Sequence, residues 1–145
     1  MDEPIFNETD AFRQGLEIRR QWLGEAHVKQ SMEQAKTESF MVPIQQFATE
    51  SIWGQLWTRP ELDHKTRSLL TLAILATLNM KDEIQMHARA ALANGITKEE
   101  IAEVFLHVAG YAGTPRAISA SKTVRGIVEE FEAARQNKGS AATGA

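Results

Sequence analysis

The chain has 145 residues, 43% of them hydrophobic and 24% charged, which is typical of a single globular domain with its own core. The net charge is −3, and the 16 Lys and Arg residues form no basic cluster, which argues against binding to nucleic acid. Because the chain contains no cysteine, disulfides, thiolate nucleophiles and zinc–thiolate sites are all excluded.

The N-terminal residues and the longest apolar segment bear on the cellular location of the protein. The first residues, Met-Asp-Glu-Pro, lack the basic start and apolar run of a signal peptide. Residues 68–78, the longest apolar segment, fall short of the roughly 20 residues that a membrane span requires. We therefore expect a cytoplasmic protein without a membrane or nucleic-acid partner. We also expect one domain over residues 1–136 and a disordered, polar tail over residues 137–145.

Apolar residues recur at helical spacing along the chain, and no segment shows the strict alternation of a strand. The pattern predicts an all-α, single-domain bundle of about six helices. In it, Gly24 and Asn94-Gly95 act as C-terminal stops, and Thr97 and Glu100 form a capping box. Helices this apolar in a short chain are expected to bury one another across subunits as well. The predicted helices cover residues 9–23, 39–57, 62–78, 82–93, 97–112 and 114–135.

Two pairs of polar side chains at helical spacing mark the first place to look for function. Glu83 and His87 are four residues apart in one predicted helix, and His107 and Tyr111 repeat that spacing in the next. Side chains four residues apart leave a helix on the same face, about one turn apart. Two facing helices would bring a carboxylate, two imidazoles and a phenol together, which suits proton transfer near neutral pH.

Six segments carry a family pattern: 15–24 (GLEIRRQWLG), 52–60 (IWGQLWTRP), 63–73 (DHKTRSLLTLA), 82–91 (DEIQMHARAA), 94–101 (NGITKEEI) and 106–115 (LHVAGYAGTP). These segments closely resemble the 4-carboxymuconolactone decarboxylase family, the cysteine-free branch of the alkylhydroperoxidase D-like superfamily. The likeness extends in order, and nearly without gaps, over roughly residues 11–131. The first two segments resemble the decarboxylases beyond the broader superfamily.

The resemblance implies a fold, an assembly and a reaction. The fold would be a small all-helical subunit in a ring-like homo-oligomer, commonly a trimer or a hexamer. The reaction would be the conversion of 4-carboxymuconolactone to 3-oxoadipate enol-lactone and CO₂ in protocatechuate catabolism. The family uses no cofactor and no metal, so we expect none here.

Two departures from the family pattern bear on the chemistry. The alkylhydroperoxidase D-type branch carries Cys-x-x-Cys-x-x-x-His, and Met80 and Glu83 occupy the two cysteine positions here, while His87 keeps the histidine. Peroxide reduction through a dithiol is therefore impossible in this chain. The decarboxylases usually have a bulky aliphatic residue and a small residue where this chain has Gly110 and Arg116. A related substrate, with an additional anionic group for Arg116 to meet, is an open alternative.

The reaction that the resemblance implies needs donors for a developing enolate oxygen and a donor for a proton. His107 or Tyr111, or the helix N-terminus at Thr114-Pro115, would stabilise the enolate. His87 would deliver the proton, because the neighbouring Glu83 carboxylate holds the imidazole tautomer and favours the imidazolium.

The substrate's carboxylates need partners as well. Arg67 or Arg89 would clamp the acetate arm bidentately, where a lysine would match the geometry less well. Apolar walls such as Trp53 or Phe105 would face the leaving carboxylate, so that the loss of its charge is favoured. Arg116 completes the set of expected substrate-binding residues.

Each assignment has a structural alternative. Glu83 and His87 would otherwise form a surface pair, His107 and Tyr111 would be hydrogen-bonded core residues, and Arg67 would join an inter-subunit salt bridge. Glu83, His87 and His107 formally offer a metal-ligand set, which nothing else in the sequence supports. For the chain as a whole, the alternatives are a lyase or isomerase acting on a related lactone or β-keto acid, and a non-catalytic helical scaffold.

Overall fold

The structure, a computed structural model, describes residues 5–142, with side chains described as far as residue 138. All regular elements in this part of the chain are helical, which confirms the predicted all-α class. Seven of them are α-helices, where about six had been predicted. In chain order they are α1 (Asp10–Leu23), α2 (Glu25–Thr37), a 3₁₀ turn (Ser39–Met41), α3 (Val42–Phe47), a π-helix (Ala48–Leu56), α4 (His64–Leu78), α5 (Lys81–Ala93), α6 (Lys98–Ala112) and α7 (Thr114–Ala142).

Three parts of the chain differ from the predicted helices. The second helix, α2, follows α1 directly after Gly24, which adopts a φ of 93° and donates its N–H to the Arg20 carbonyl oxygen. Sequence pattern missed α2 because only two of its side chains, Val28 and Ala35, are buried. The predicted helix over residues 39–57 is divided into a 3₁₀ turn, a short α-helix and a π-helix. At the other end, α7 continues to Ala142, beyond the expected start of the tail at residue 137.

The chain forms two compact units, Met1–His64 and Lys65–Ala145. In the first unit, α1 crosses the π-helix at two glycines. A Cβ atom at Gly15 would overlap the Thr49 carbonyl oxygen, and one at Gly54 would overlap the Ala11 carbonyl oxygen. The absence of a side chain therefore allows the two backbones to approach this closely.

Aromatic side chains fill the rest of the first unit. The rings of Trp53 and Trp57 have centroids 4.4 Å apart, and Trp22 lies 5.5 Å from Trp57. Phe6 stacks on Phe12 at 5.6 Å. Such pairs add packing energy beyond the area that they bury, which helps a small unit to hold a fixed core.

In the second unit, α5 and α6 pack against α7. The start of α6 has the predicted capping box, since the Glu100 N–H donates to Thr97 Oγ1 at 3.1 Å and the Thr97 N–H donates to Glu100 Oε2 at 2.9 Å. The core of this unit consists of apolar side chains from all four helices: Leu72, Ala76, Ile84, Ala88, Ile101, Phe105, Val108, Ala120, Val124 and Ile127.

The helix α4 has one buried face and one exposed apolar face. It buries Leu72 and Ala76, but Leu70, Ile74 and Leu78 are 49%, 58% and 61% exposed. These three residues are spaced by four and therefore form one apolar stripe along the helix. None of the helices described by the structure is both long and apolar enough to cross a membrane.

Candidate functional site

A groove runs between α4 and α6 in the second unit, and His107 lies at its centre. One part of the groove, of about 350 Å³, is lined by α4 side chains and by His107, Val108 and Tyr111. The other part, of about 530 Å³, is lined by α4 together with Glu99, Glu103 and His107. His107 and Ala73 line both parts. We call this feature, from Thr66 to Leu78 on one side and Glu99 to Ala112 on the other, the α4–α6 groove.

The packing of α6 explains why His107 faces the groove. Ile101, Phe105 and Val108 are buried on one face of the helix, which fixes its rotation. The capping box at Thr97 fixes where the helix begins. His107 and Tyr111 are therefore held one turn apart on the neighbouring exposed face.

The structure brings the predicted site residues His107 and Tyr111 into direct contact. Their ring centroids are 4.7 Å apart, and the ring planes are inclined by 30°. Both residues are exposed, and Tyr111 is 86% exposed. The pair presents an imidazole and a phenol hydroxyl to the groove, both of which can donate a hydrogen bond to an oxyanion.

Glu83 and His87 lie one turn apart on α5, as their spacing predicted. Both side chains are half-buried, and the Nδ1 atom of His87 is buried. Neither residue lines the α4–α6 groove. The structure therefore places the two predicted pairs on different helices, and of these four residues His107 and Tyr111 line the groove.

The four predicted substrate-binding residues lie in different environments. Arg67 is buried on α4, and Arg116 is exposed in the first turn of α7. Arg89 donates from Nη1 to Glu130 Oε2 at 3.0 Å, and both of these side chains are more than half exposed. Trp53 belongs to the unit Met1–His64, where it is buried against Trp57.

Position 110 has free space around it. Gly110 is exposed on α6, and a Cβ atom there would meet no other atom within 4 Å. The glycine is therefore not required by backbone geometry or by close packing. A larger side chain at this position would extend into open space one residue before Tyr111.

Sequence reasoning missed Glu103, which lines the groove beside His107. Glu103 precedes His107 by four residues, the same carboxylate–imidazole spacing that singled out Glu83 and His87. Glu99 precedes Glu103 by four residues in turn, so that a row of acids leads to the imidazole. This spacing is visible in the sequence, but it is also common on helix faces that are exposed to water. Glu103 and His107 are recognised as groove residues only because α4 lies opposite them.

Within the described residues, no group of three or more His, Asp or Glu side chains converges as metal ligands would. The formal set of Glu83, His87 and His107 is therefore not assembled by the structure. The carboxylate of Glu100, which also lines the groove, has a shifted pKa. The Lys65 ammonium and the Thr97 backbone N–H hold the pKa of Glu100 below its ordinary value.

Comparison with known proteins agrees with this fold. The profile of the Carboxymuconolactone decarboxylase family matches residues 43–125, more than half of the chain. A 4-carboxymuconolactone decarboxylase of Acinetobacter baylyi is 39% identical over 125 residues, which cover 86% of this chain and 92% of the relative. A nitrosuccinic acid decarboxylase of Metarhizium robertsii is also 39% identical over 125 residues, covering 83% of this chain and 86% of the relative. The chain therefore belongs to the carboxymuconolactone decarboxylase family.

Proposed function

We propose that this protein is a cofactor-free carboxy-lyase that converts 4-carboxymuconolactone to 3-oxoadipate enol-lactone and CO₂ in aromatic catabolism. The observation that carries the proposal is the 39% identity to the A. baylyi decarboxylase over nearly the whole of both chains. The α4–α6 groove supports it, because an imidazole and a phenol face a space large enough for a small lactone. We expect the protein to act in the cytoplasm.

The chemistry explains why the chain needs no electron-accepting cofactor for this reaction. When the γ-carboxylate leaves as CO₂, the electron pair of the broken C–C bond passes through the C=C bond to the lactone carbonyl. The product of this step is a dienolate, whose negative charge lies largely on the carbonyl oxygen. A proton then adds to the α-carbon and yields the enol-lactone. The protein's tasks are to hold the carboxylates, stabilise the oxygen and deliver the proton.

The stacked pair of His107 and Tyr111 is the proposed oxyanion site. Hydrogen-bond donors held in place before the reaction stabilise charge that develops in the transition state, and one such donor is worth about 3–4 kcal/mol. The stack restricts both rings, since a rotation of either ring is resisted by the other at 4.7 Å. We therefore assign the enolate oxygen to this pair.

Glu83 and His87 are the proposed proton-handling pair. Their spacing on α5 and the burial of His87 Nδ1 support a fixed imidazole beside a carboxylate. Their position outside the α4–α6 groove makes this the part of the proposal that variants must test first. The alternative carboxylate–imidazole pair, Glu103 and His107, lies inside the groove.

Arginines are the proposed partners of the substrate's remaining carboxylate. Arg116 is exposed at the start of α7, shortly after Tyr111 in the chain, and Arg67 belongs to the helix that forms one wall of the groove. Arg89 would first have to leave its ion pair with Glu130. We therefore propose Arg116 and Arg67 ahead of Arg89.

The proposed assembly is a homo-oligomer, a trimer or a hexamer, in which a second copy covers the α4–α6 groove. The apolar stripe of Leu70, Ile74 and Leu78 supports this, because side chains of this size are costly to leave in water as a continuous row. Tyr111, next to the groove, is exposed as well. Oxyanion stabilisation is strongest in a site closed to water, which a covering subunit would provide.

A second candidate keeps the fold and the reaction type but changes the substrate. Nitrosuccinic acid is the substrate named for the M. robertsii relative, which has the same 39% identity to this chain as the carboxymuconolactone decarboxylase, over a slightly smaller share of both chains. Open space at Gly110 and the exposed Arg116 favour an acid with a different outline or an additional anionic group. Loss of CO₂ beside a nitro group also leaves charge on oxygen, which the same donors would meet.

A direct comparison of substrates separates these candidates. Purified protein is given 4-carboxymuconolactone or nitrosuccinic acid, and CO₂ release is measured to obtain kcat/KM for each. We expect the lactone to be the better substrate. A preference for nitrosuccinic acid would favour the second candidate. Replacement of Gly110 by leucine together with Arg116 by alanine should then raise turnover of the lactone. No CO₂ from either acid would favour a non-catalytic scaffold.

A further inference from the structure

A row of large apolar side chains is exposed along the 3₁₀ turn, α3 and the π-helix of the unit Met1–His64. The opposite face of these elements is buried, since Met41 and Val42 pack against the core around Phe12, and Trp53 is buried further along. This packing fixes which side chains point outward. We call the outward row the Phe47 stripe. Its five members, between 37% and 70% exposed, are Phe40, Ile44, Phe47, Ile52 and Leu56.

The change from α-helix to π-helix keeps the Phe47 stripe on one face. Phe40, Ile44 and Phe47 are spaced by four and three residues, which share a face of an α-helix. In a π-helix the hydrogen bonds join residues five apart, as from the Trp57 N–H to the Ile52 carbonyl oxygen at 2.9 Å. Ile52 follows Phe47 by five residues, so the wider turn returns it to the face of Phe47.

The area of the Phe47 stripe indicates a protein partner. Its five side chains expose on the order of 500 Å² of apolar surface, toward the upper end for one patch on a soluble monomer. A stable contact between two protein molecules buries about 800 Å² on each of them. The stripe therefore supplies more than half of the surface that such a contact needs.

The chain itself carries a surface of complementary shape. The Phe47 stripe is a convex ridge, whereas the α4–α6 groove is concave and has Leu70, Ile74 and Leu78 along one wall. A helix that presents apolar side chains one turn apart fits into a groove of this kind. Two ridges or two grooves placed together would leave apolar surface exposed to water. We propose that the Phe47 stripe of one copy binds in the α4–α6 groove of the next copy and closes it.

A contact between two different faces repeats from copy to copy. Each copy offers its stripe to one neighbour and its groove to another, an arrangement that forms a ring when the rotation closes. The inference thus rests on the homo-oligomer of the proposed function and names the surfaces that form it. It also adds to the site, because the neighbour's Phe47 stripe would cover His107 and Tyr111 and exclude water from the enolate oxygen.

Charge favours one direction of binding. Glu99 and Glu103 line one end of the α4–α6 groove. The Phe47 stripe ends at Leu56, three residues before the exposed Arg59. Arg59 forms an exposed ion pair with Glu61 at 3.2 Å, and such a pair contributes little in water. A copy bound with Leu56 toward Glu99 would bring the Arg59 guanidinium to the carboxylates of the groove.

Because the chain contains no cysteine, introduced cysteines can be cross-linked without interference. Phe47→Cys and Ile74→Cys, one of them carrying an affinity tag, are co-expressed and treated with a short bis-maleimide linker that tolerates a shift of one helical turn. We expect a tagged–untagged heterodimer on a denaturing gel, because about one contact in four joins the two cysteines in a random equal mixture. Each variant alone should stay unlinked. The double variant should link at every contact and give a band of the size of the ring.

The matched control replaces Phe47→Cys by Lys29→Cys, at an exposed polar position on α2 of the same unit, and should give no heterodimer. Sedimentation velocity establishes that each variant assembles as the wild type does. If Phe47→Cys does not assemble, Ile52→Cys takes its place, one turn further along the stripe.

Three results would overturn the inference. Linked dimers from Phe47→Cys alone or from Ile74→Cys alone would show that like faces meet. Linkage of the double variant only within one chain would show that each copy covers its own groove. An oligomeric protein whose mixture stays unlinked would place the contact elsewhere. Linkage is measured without substrate, so these results leave the proposed decarboxylation standing, whereas a monomeric wild-type protein would contradict the proposed assembly itself.

Discussion

The imidazole of His107 stacks on the phenol ring of Tyr111, with ring centroids 4.7 Å apart and ring planes inclined by 30°. This contact follows from their positions one turn apart on α6, whose rotation is fixed by its buried face. Because each ring restricts the other, the two donors are expected to act as a unit. Removal of one ring would also change the position of its neighbour.

Substitutions in this pair are predicted to affect turnover together. We expect His107→Ala and Tyr111→Phe to lower kcat, by about 10²–10³-fold for the loss of an oxyanion donor. The double variant should lose less than the product of the two single losses. The control is Lys122→Ala, an exposed position on α7 outside the groove. Steady-state kinetics on 4-carboxymuconolactone provide the measurement, and wild-type kcat in His107→Ala would refute the oxyanion assignment.

The proton-handling pair is predicted to control kcat more than KM. His87→Ala removes the proposed general acid, and Glu83→Gln removes the carboxylate proposed to orient it. Loss of a positioned general acid typically lowers the rate by about 10²–10⁴-fold. Gln85→Ala, at an exposed position on the same helix, serves as the control. The measurement is kcat against pH for each variant. If the dependence of kcat on pH is unchanged in both variants, proton transfer would instead be assigned to Glu103 and His107. Glu103→Gln would then be the next variant to test.

The crossing of α1 and the π-helix predicts opposite effects of the same substitution at different glycines. Gly15→Ala should lower the free energy of unfolding by about 3 kcal/mol or more, because the new methyl group overlaps the Thr49 carbonyl oxygen. Gly110→Ala and Gly126→Ala lie on exposed helix faces with open space, and should raise it by about 0.5–1 kcal/mol. Urea unfolding measures all three variants. Equal stability of Gly15→Ala and the wild type would contradict the close crossing.

The capping box of α6 predicts a stability that depends on pH. The Lys65 ammonium and the Thr97 N–H lower the pKa of Glu100 in the folded protein, so its stabilising contribution is present above the pKa of the unfolded state. The contribution is lost as the pH falls through the folded pKa. Glu100→Gln should therefore be less stable than the wild type at neutral pH, with a difference that shrinks in acid.

A second substitution, Thr97→Ala, separates the stability contributed by the capping hydrogen bond from that contributed by the charge of Glu100. Thr97→Ala should cost about 1 kcal/mol at neutral pH, because the Glu100 N–H loses its acceptor. Urea midpoints across the acid range test both variants. A difference between Glu100→Gln and the wild type that is constant with pH would show that the carboxylate's charge contributes nothing.

The apolar stripe of α4 predicts that assembly and activity are linked. Ile74→Lys places a charge in the middle of the stripe and should dissociate the proposed oligomer, with a fall in activity. Lys122→Ala again serves as the control. Sedimentation velocity measures the size, and kcat is measured at the same protein concentration. A fully active, monomeric Ile74→Lys protein would show that the groove works uncovered.

Sequence periodicity predicted the helices with a strong apolar face well and the polar ones poorly. The capping box at Thr97 and Glu100 is a local pattern, and it forms as predicted. α2 escaped prediction because its buried face consists of little more than Val28 and Ala35. The π-helix was also missed, because apolar spacing predicted one helix over residues 39–57 without distinguishing π-helical from α-helical turns.

The candidate site was predictable in pairs but not as a whole. The spacing of His107 and Tyr111 was enough to predict their contact, because both lie on one helix. Whether Glu83 and His87 meet them depends on how α5 and α6 are oriented, which no spacing within one helix determines. Glu103 has the same local pattern as Glu83, and only the neighbouring α4 identifies it as a groove residue. Tertiary packing therefore decides which of two equivalent patterns belongs to a site.

The central claim is that the protein decarboxylates 4-carboxymuconolactone with His107 at the reacting centre. The most direct test is a coupled assay in excess EDTA, in which a cycloisomerase generates the lactone and CO₂ and enol-lactone are followed together. We expect the wild-type protein to form both products at equal rates and His107→Ala to form them far more slowly. Neither product from a folded wild-type protein, or equal rates from both proteins, would contradict it.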